Sequence, residues 1–536
     1  MANRLADSLS PYLRQHADNP VDWREWSPEA LQEAADNNRP ILLSVGYAAC
    51  HWCHVMAHES FENLEVAAAI NQSFVAIKVD REERPDIDAA YMTATTAMTG
   101  SGGWPMTCLL TPDGKPFFSG TYLPKPQFLQ LLSAAKHAWE TQPDEVRASG
   151  QNVATQLAAA ATRGASTALT AEVTANAVTT LRQSYDARYG GFGGAPSSRR
   201  PWCWSFCCAT TRAPVTAMPW PWSSTAARQW LVAASTTSLP VASHATASTR
   251  PGRCRTSRRC STTTRNCCVS TRTCGAPLKA RLSPELPPRQ RNSSSATSGR
   301  PTAASPARST PTPRGSSTTY VWSPSDLRAT LGDEDGRWAA ELLGVTEEGT
   351  FEHGTSTLQL LRDPDDQSRW ELIRTKLMDR RSRRPQPDRD EKVVTSWNGL
   401  AISALAEAAM ILQESEWLDA AMASAEFALD RHLVDGRLRR TSLGGRVSGA
   451  PGVADDYGNF AEALLVLHQA TGEQRYLAAG EQLLATAQQI FTGPSGGFHD
   501  AASAERSCSS PRVVPVTTPS LLGPRASPAH CSPSAR

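Results

Sequence analysis

The sequence predicts an α/β domain at the N-terminal end followed by an all-α remainder. Three observations predict it. The first is Ile41 to Tyr47, an apolar and partly β-branched run long enough for a buried strand, which leads straight into Cys50-His51-Trp52-Cys53. The second is Phe74 to Asp80, another strand-like run, separated from the first by a helical stretch. Strand, helix, strand in that order makes the two strands parallel neighbours. The third is the stretch from Thr319 to about Asp500, where apolar residues recur at helical spacing and short loops separate the segments.

The elements of the first 165 residues follow in order. Ser27-Pro28-Glu29 starts a helix, with Ser as N-cap, Pro in the first turn and Glu at the positive dipole end. It runs to about Ala35 and stops at Asp36-Asn37-Asn38. After the Ile41 strand, Val55, Met56 and then Leu64 to Ile70 read as helix. Met106 to Leu110, a turn at Pro112-Asp113-Gly114, and Phe117 to Tyr122 read as strand, hairpin and strand.

A strand that delivers Cys-x-x-Cys to a helix start is the arrangement of a thioredoxin-like redox site. At the helix N-terminus the unpaired N–H groups and the dipole favour a thiolate on Cys50. Cys53, one turn on, is placed to resolve a mixed disulfide formed by Cys50. Three other readings stay open. Cys50, Cys53, His54 and His58 could hold a metal, because the two histidines are four residues apart on one helix face. Cys50 to His54 also fits the Cys-x-x-Cys-His haem-attachment pattern. Both cysteines could also be packed and inert. The expectation taken forward is redox chemistry on Cys50 and Cys53, shaped by His51 and Trp52, with no metal and no cofactor.

At 536 residues the chain has room for two or more domains. No run reaches the ~18 apolar residues of a membrane span, and Met1 to Ser8 lacks the apolar core of a signal peptide. A cytoplasmic protein is expected, with no membrane or nucleic-acid partner. The net charge of +2 hides a lopsided distribution. Residues 197–318 hold 17 Arg and 1 Lys against the single acid Glu285, so the rest of the chain, with 36 basic and 51 acidic residues, is strongly acidic. Eight of the thirteen cysteines lie in the same stretch, and Cys508 and Cys531 lie in the tail. Thirteen cysteines therefore do not imply a disulfide scaffold.

Leu9 to Trp23, Cys50 to Met56 and Val79 to Asp86, taken together, resemble the spermatogenesis-associated protein 20 family. The resemblance covers residues 3–165 almost without a gap. It implies a thioredoxin-like domain followed by a six-hairpin (α/α)6 barrel similar to N-acylglucosamine 2-epimerases and glycosidases. It also implies that Pro105 corresponds to the cis-proline that faces the cysteines in thioredoxin folds. The domain limits expected are 1–165 for the thioredoxin-like domain and 168–196 for the start of the barrel, where Tyr185 to Pro196 reads as the family's entry to it.

Residues 197–318 then lose both periodicities and read as out-of-frame text, expected to be disordered. A disordered linker is poor in Cys and Trp, yet this one carries eight Cys and five Trp. The family's text, read one base late in GC-rich codons, reproduces Ala195 to Cys208, Ser235 to Ala247, Gly252 to Thr264 and Arg308 to Gly315. The frame returns by Tyr320. Residues 319–504 are expected to hold the remainder of the helical domain, and 505–536 a second out-of-frame tail, which would leave out the last hairpins. By this account the barrel's own acid/base segment is absent as amino acids, and His244 and the basic run at 250–259 are accidents of reading.

In the helical remainder, Trp397 and Asn398 open a helix, and Asp455, Asp456 and Tyr457 resemble the family's loop facing the central cleft. These five are the candidate sugar-binding residues; the two acids could instead cap the helix that follows. Two functions are carried forward. One is a thiol–disulfide redox protein, an oxidoreductase acting on a protein thiol or disulfide partner, fused to a damaged barrel. The other is a sugar-binding or epimerase- or glycosidase-like enzyme with an accessory thioredoxin domain and a carbohydrate ligand.

Overall fold

The computed structural model describes residues 3–161, 170–186, 191–192, 244–247, 254–257, 319–360, 362–386, 390–493 and 498–502. They form two compact units. The first holds the described residues up to 161 together with those from 390 onward; the second holds those between 170 and 386.

The first unit is built on a five-stranded sheet. Its strands are β1 (Arg24–Glu25), β2 (Ile41–Gly46), β3 (Val75–Asp80), β4 (Met106–Leu110) and β5 (Pro116–Gly120), in the order β1-β3-β2-β4-β5. β1, β3 and β2 run parallel, and β4 and β5 run antiparallel to their neighbours. Every residue of β2, β3 and β4 is buried, as expected for central strands covered on both faces.

Alternation divides the strands between those faces. Ile41, Leu43, Val45, Val75, Ile77, Val79, Met106 and Leu110 pack under α2 (Pro28–Asp36) and α5 (Pro85–Thr99), with Trp26, Ala30, Ile87 and Tyr91. Leu42, Ala76 and Leu109 face the other way, toward Tyr12 of α1 (Pro11–Arg14), Met56 of α3 (His51–Met56), and Val66 and Ile70 of α4 (Leu64–Ser73). α6 (Lys125–Thr141) adds Phe128 and Leu132 to this second layer, and α7 (Pro143–Ala161) packs against β5.

The helix expected from Val55 through Ile70 is two helices. After Met56 the chain widens into a π-helical turn, Ala57–Phe61, and a new helix starts at Leu64 with Asn63 as its cap, the carboxamide oxygen accepting from Glu65 and Val66 N–H. An Asn with an oxygen free to take those two donors starts a helix rather than continuing one.

The same unit contains four long helices, Thr395–Leu412, Ser415–Arg431, Ala454–Thr471 and Gln474–Phe491. Ile402, Ala406, Ala421, Ala425, Phe460, Leu464, Leu483 and Phe491 form their shared core. The helices 395–412 and 454–471 meet closely at Gly399. A Cβ there would lie 2.7 Å from the Asn459 carbonyl, so only a glycine allows that approach.

In the second unit a helix Ala171–Gln183 is capped by Thr170. Tyr185–Asp186 pairs with Gly191–Phe192, and His244–Ala247 with Cys254–Ser257, both antiparallel. Three more helices, Pro324–Leu331, Asp333–Leu342 and Gln367–Ser382, share a core of Trp322, Leu327, Trp370, Ile373 and Leu377. Six helical hairpins are not present among the described residues. The proposed out-of-frame segments fall, apart from the two short strands just named, outside the described residues.

Candidate redox site

β2 ends at Gly46, and a short loop carries the chain to Cys50, which caps α3. Cys50 and Cys53 are joined in a disulfide, and the Cys50 sulfur also accepts from the Cys53 N–H at 3.2 Å. The first turn of the helix thus aims a backbone donor at one sulfur of the pair. Both residues are nearly buried, at 4% and 3% exposed. His51 is exposed and Trp52 half-buried. The Trp52 ring lies 4.8 Å from that of Tyr122, whose hydroxyl donates to Glu59 at 2.5 Å.

The Trp104–Pro105 peptide is cis, and Pro105 is buried just before β4, the strand paired with β2. Trp104 is fixed by three contacts. Its indole N–H donates to Asp88 at 2.7 Å, its ring meets Tyr47 edge-on, and the Arg81 guanidinium lies 4.0 Å above it. The histidines of the alternative metal reading are engaged elsewhere. His54 Nε2 contacts the Ala48 carbonyl at 2.9 Å, and His58 pairs with Glu62. No group of three or more His, Cys, Asp or Glu side chains placed to hold a metal occurs among the described residues.

Beneath the cysteines the sheet is polar. Register sets Ser44 opposite both Lys78 and Thr107, and Gly46 opposite Asp80, all on the face turned toward α1 and α3. Lys78 is 1% exposed. Its ammonium donates to Ser44 Oγ at 3.2 Å and lies 4.5 Å from the Phe61 ring and 4.6 Å from that of Trp23. Burial pushes its pKa well below the usual lysine value. Gly46 marks the closest approach. A Cβ on it would lie 2.7 Å from Cys53 Sγ and nearer still to the Tyr12 hydroxyl.

Asp80 ties this layer to the helices. Ser10 Oγ donates to it at 2.6 Å, Glu82 N–H at 2.9 Å, and Lys392 forms a buried ion pair with it. Lys392 also meets Glu82 at 3.0 Å and Asp390 at 3.5 Å. Burial works against its charge, but Asp80, Glu82 and Asp390 outweigh that, and its pKa is raised. Arg440 repeats the device, its Nε donating to the Glu82 carbonyl at 2.6 Å and its fork to Asp456 at 2.9 Å.

The sugar-binding candidates are placed as follows. Asp456 is fully buried and accepts from Ser396 N–H, Val453 N–H and Arg440. Asp455 is exposed. Tyr457 is 1% exposed, and its hydroxyl accepts from Leu438 N–H at 2.9 Å. Trp397 and Asn398 are half-buried, the Asn398 carboxamide donating to the Val394 carbonyl. Asp456 is spent on the helix start and Arg440, while Asp455 has Arg440 and Asp456 as its charged neighbours. Sequence reasoning gave no role to Tyr12, Ser44, Lys78, Asp80, Lys392 or Arg440. The signal within reach was the pair of polar residues, Lys78 and Asp80, on one side of an otherwise apolar strand.

A protein of Caenorhabditis elegans described as uncharacterized is 30% identical over 92% of this chain and 75% of its own length. Human spermatogenesis-associated protein 20 is 30% identical over 94% of this chain and 72% of its own. The chain belongs to the spermatogenesis-associated protein 20 family. The rat protein of that name is 42% identical over 37% of this chain and 27% of its own length. Residues 2–158 match a family described as "Thioredox_DsbH: Protein of unknown function, DUF255". A solved structure titled "DsbH Oxidoreductase" covers 22% of this chain and 85% of its own, at 18% identity and a TM-score of 0.19. The N-terminal part of this family member is a thioredoxin-like domain. No helix among its described residues is long and apolar enough to cross a membrane.

Proposed function

We propose that the first unit carries out thiol–disulfide exchange with a protein partner through Cys50 and Cys53. The observation that supports it is the Cys50 sulfur at a helix cap, accepting the Cys53 N–H while bonded to the Cys53 sulfur. A donor aimed at a sulfur stabilises the thiolate, which is the attacking and the leaving form. A substrate thiolate attacks Cys50 Sγ, the Cys50–Cys53 bond breaks, and its electron pair stays on Cys53. A second substrate thiolate then attacks the substrate sulfur of the mixed disulfide and releases Cys50 as thiolate. The substrate leaves oxidised to a disulfide, the cysteine pair is reduced, and the reverse sequence reduces a substrate disulfide.

The full chain equilibrated in glutathione buffers, quenched by alkylation and mapped by mass spectrometry, tests this. Cys50 and Cys53 should convert together. Cys53→Ser should accumulate a glutathione adduct on Cys50, and Cys50→Ser should form far less on Cys53. A pair that stays closed, or stays open, across the whole buffer range would make the cysteines structural and end this reading. We do not extend the proposal to sugar chemistry, because Asp456 and Tyr457 are already spent within the fold.

A further inference from the structure

Among the described residues Tyr12 is one of the largest fully buried side chains, and its hydroxyl makes no hydrogen bond of good geometry there, with Ser44 as its polar neighbour. Ser44 Oγ already accepts from Lys78. A buried hydroxyl left in that state destabilises the conformation that contains it. It is also held firmly in place. Ser10, the cap of α1, donates to Asp80 and accepts from Leu13 N–H, which fixes the short helix against the end of β3. The Tyr12 ring is packed with His16 edge-on, and Lys78 lies 5.2 Å from its centroid. The hydroxyl and Cys53 Sγ both border one small space, the one a Gly46 side chain would take.

We infer that Tyr12 is a positioning residue for the exchange reaction, its hydroxyl donating a hydrogen bond to the Cys53 sulfur once the disulfide opens. The inference rests on the redox reading above. In the disulfide the Cys53 sulfur is a weak acceptor, and the hydroxyl gains no hydrogen bond of good geometry. When an incoming thiolate takes Cys50, the electron pair of the broken bond comes to rest on Cys53. The sulfur then becomes an anionic acceptor, the strong partner for a neutral donor. No proton is transferred in this step; burial raises the Tyr12 phenol well above its ordinary pKa and keeps the hydrogen on oxygen. The hydroxyl is therefore poorly satisfied in the oxidised state and well satisfied in the reduced state, so it favours reduction of the pair.

Two substitutions at one position test this in the full chain. Tyr12→Phe removes the donor and keeps the ring. The equilibrium constant for reduction by glutathione should fall about tenfold, a shift of about 30 mV at 29.6 mV per decade. Replacing Tyr12 by 3-fluorotyrosine strengthens the donor and should shift the equilibrium the other way. A packing defect would move both variants in one direction. In the Cys50→Ser background, alkylation of the Cys53 peptide should require about one pH unit more with Phe at position 12 than with Tyr. If the wild-type pair does not equilibrate with glutathione, this inference falls together with the redox reading. If wild type equilibrates and both variants match it within twofold, the Tyr12 inference alone is overturned. Should Tyr12→Phe fail to fold, the fluorotyrosine protein decides: an unchanged or lowered constant refutes it.

Discussion

Lys392 and Asp80 form an ion pair that is buried on both sides, the side chains 2% and 0% exposed, across 312 residues of sequence. Asp80 closes the strand that runs beneath the cysteines, and Lys392 precedes the helix 395–412. The pair therefore fastens the sheet to the helices within one unit.

Breaking it should be expensive. Lys392→Met leaves Asp80 buried with its ion-pair partner gone, a loss of about 3–5 kcal/mol. Combining it with Asp80→Asn should recover part of that loss, because the most deeply buried of the three carboxylates that Lys392 pairs is then neutral. Urea denaturation of the two single variants and the double variant measures the coupling. Additive losses would show that the contact contributes little.

Glu83 sets a pH dependence of opposite sign to that of a paired carboxylate. Burial, with Asp80 nearby, pushes its pKa up to about 7 from 4.5, against the pull of Lys392 and of the Thr441 hydroxyl that donates to it. Below about pH 4.5 the group is protonated in folded and unfolded chains alike. Between 4.5 and 7 the unfolded chain gives up the proton first, so the folded state holds more protons and stability falls as pH rises. The whole effect is on the order of 3 kcal/mol and is complete above pH 7. Glu83→Gln should flatten this limb in denaturation curves taken from pH 4.5 to 7.5; an unchanged slope would count against the assignment.

Gly46→Ala places a methyl group against both the Tyr12 hydroxyl and Cys53 Sγ. Overpacking of this kind costs about 1–3 kcal/mol. The melting temperature should drop, and it should drop less in the Cys53→Ala background, where the bulky sulfur is removed.

Cys108 is free and buried on β4, and burial pushes its thiol up to about 11, even though Ser119 Oγ donates to it at 3.1 Å. In the folded full chain at pH 8, iodoacetamide should leave the Cys108 peptide unmodified while it labels the reduced Cys50. In urea both should react. Labelling of Cys108 without denaturant would show that the β4 layer opens readily.

Much of the sheet was legible because its signals are local. The run from Ile41 is apolar throughout, Ser27 and Pro28 announce a helix, and Pro112 to Gly114 announce a turn. Cys-x-x-Cys after a strand pointed to the candidate site for the same reason. What escaped depends on register and on long-range closure. Lys78 and Asp80 look like ordinary strand residues until β2 and β3 align and set them against Ser44 and Gly46. Tyr12 and Ser10 lie in a stretch that signals the family, yet nothing near them in sequence reveals the sulfur that Tyr12 approaches across Gly46 or the carboxylate that Ser10 meets. Asp455 and Asp456 looked like a pair. Helical geometry turns neighbouring residues about 100° apart, so it is Asp456 whose oxygens accept from the Val453 and Ser396 N–H groups and from the Arg440 fork.

The strands at the two margins of the sheet carry a consequence for crowded solution. β1 has two residues, both charged, and Arg24 is drawn back onto Glu33 at 2.7 Å. β5 opens with Pro116, which has no N–H to offer, and lies against α7. A foreign strand needs a row of free amide and carbonyl groups to lengthen a sheet. Neither margin offers a long one, so this unit is a poor seed for edge-to-edge association into fibrils, even at high concentration.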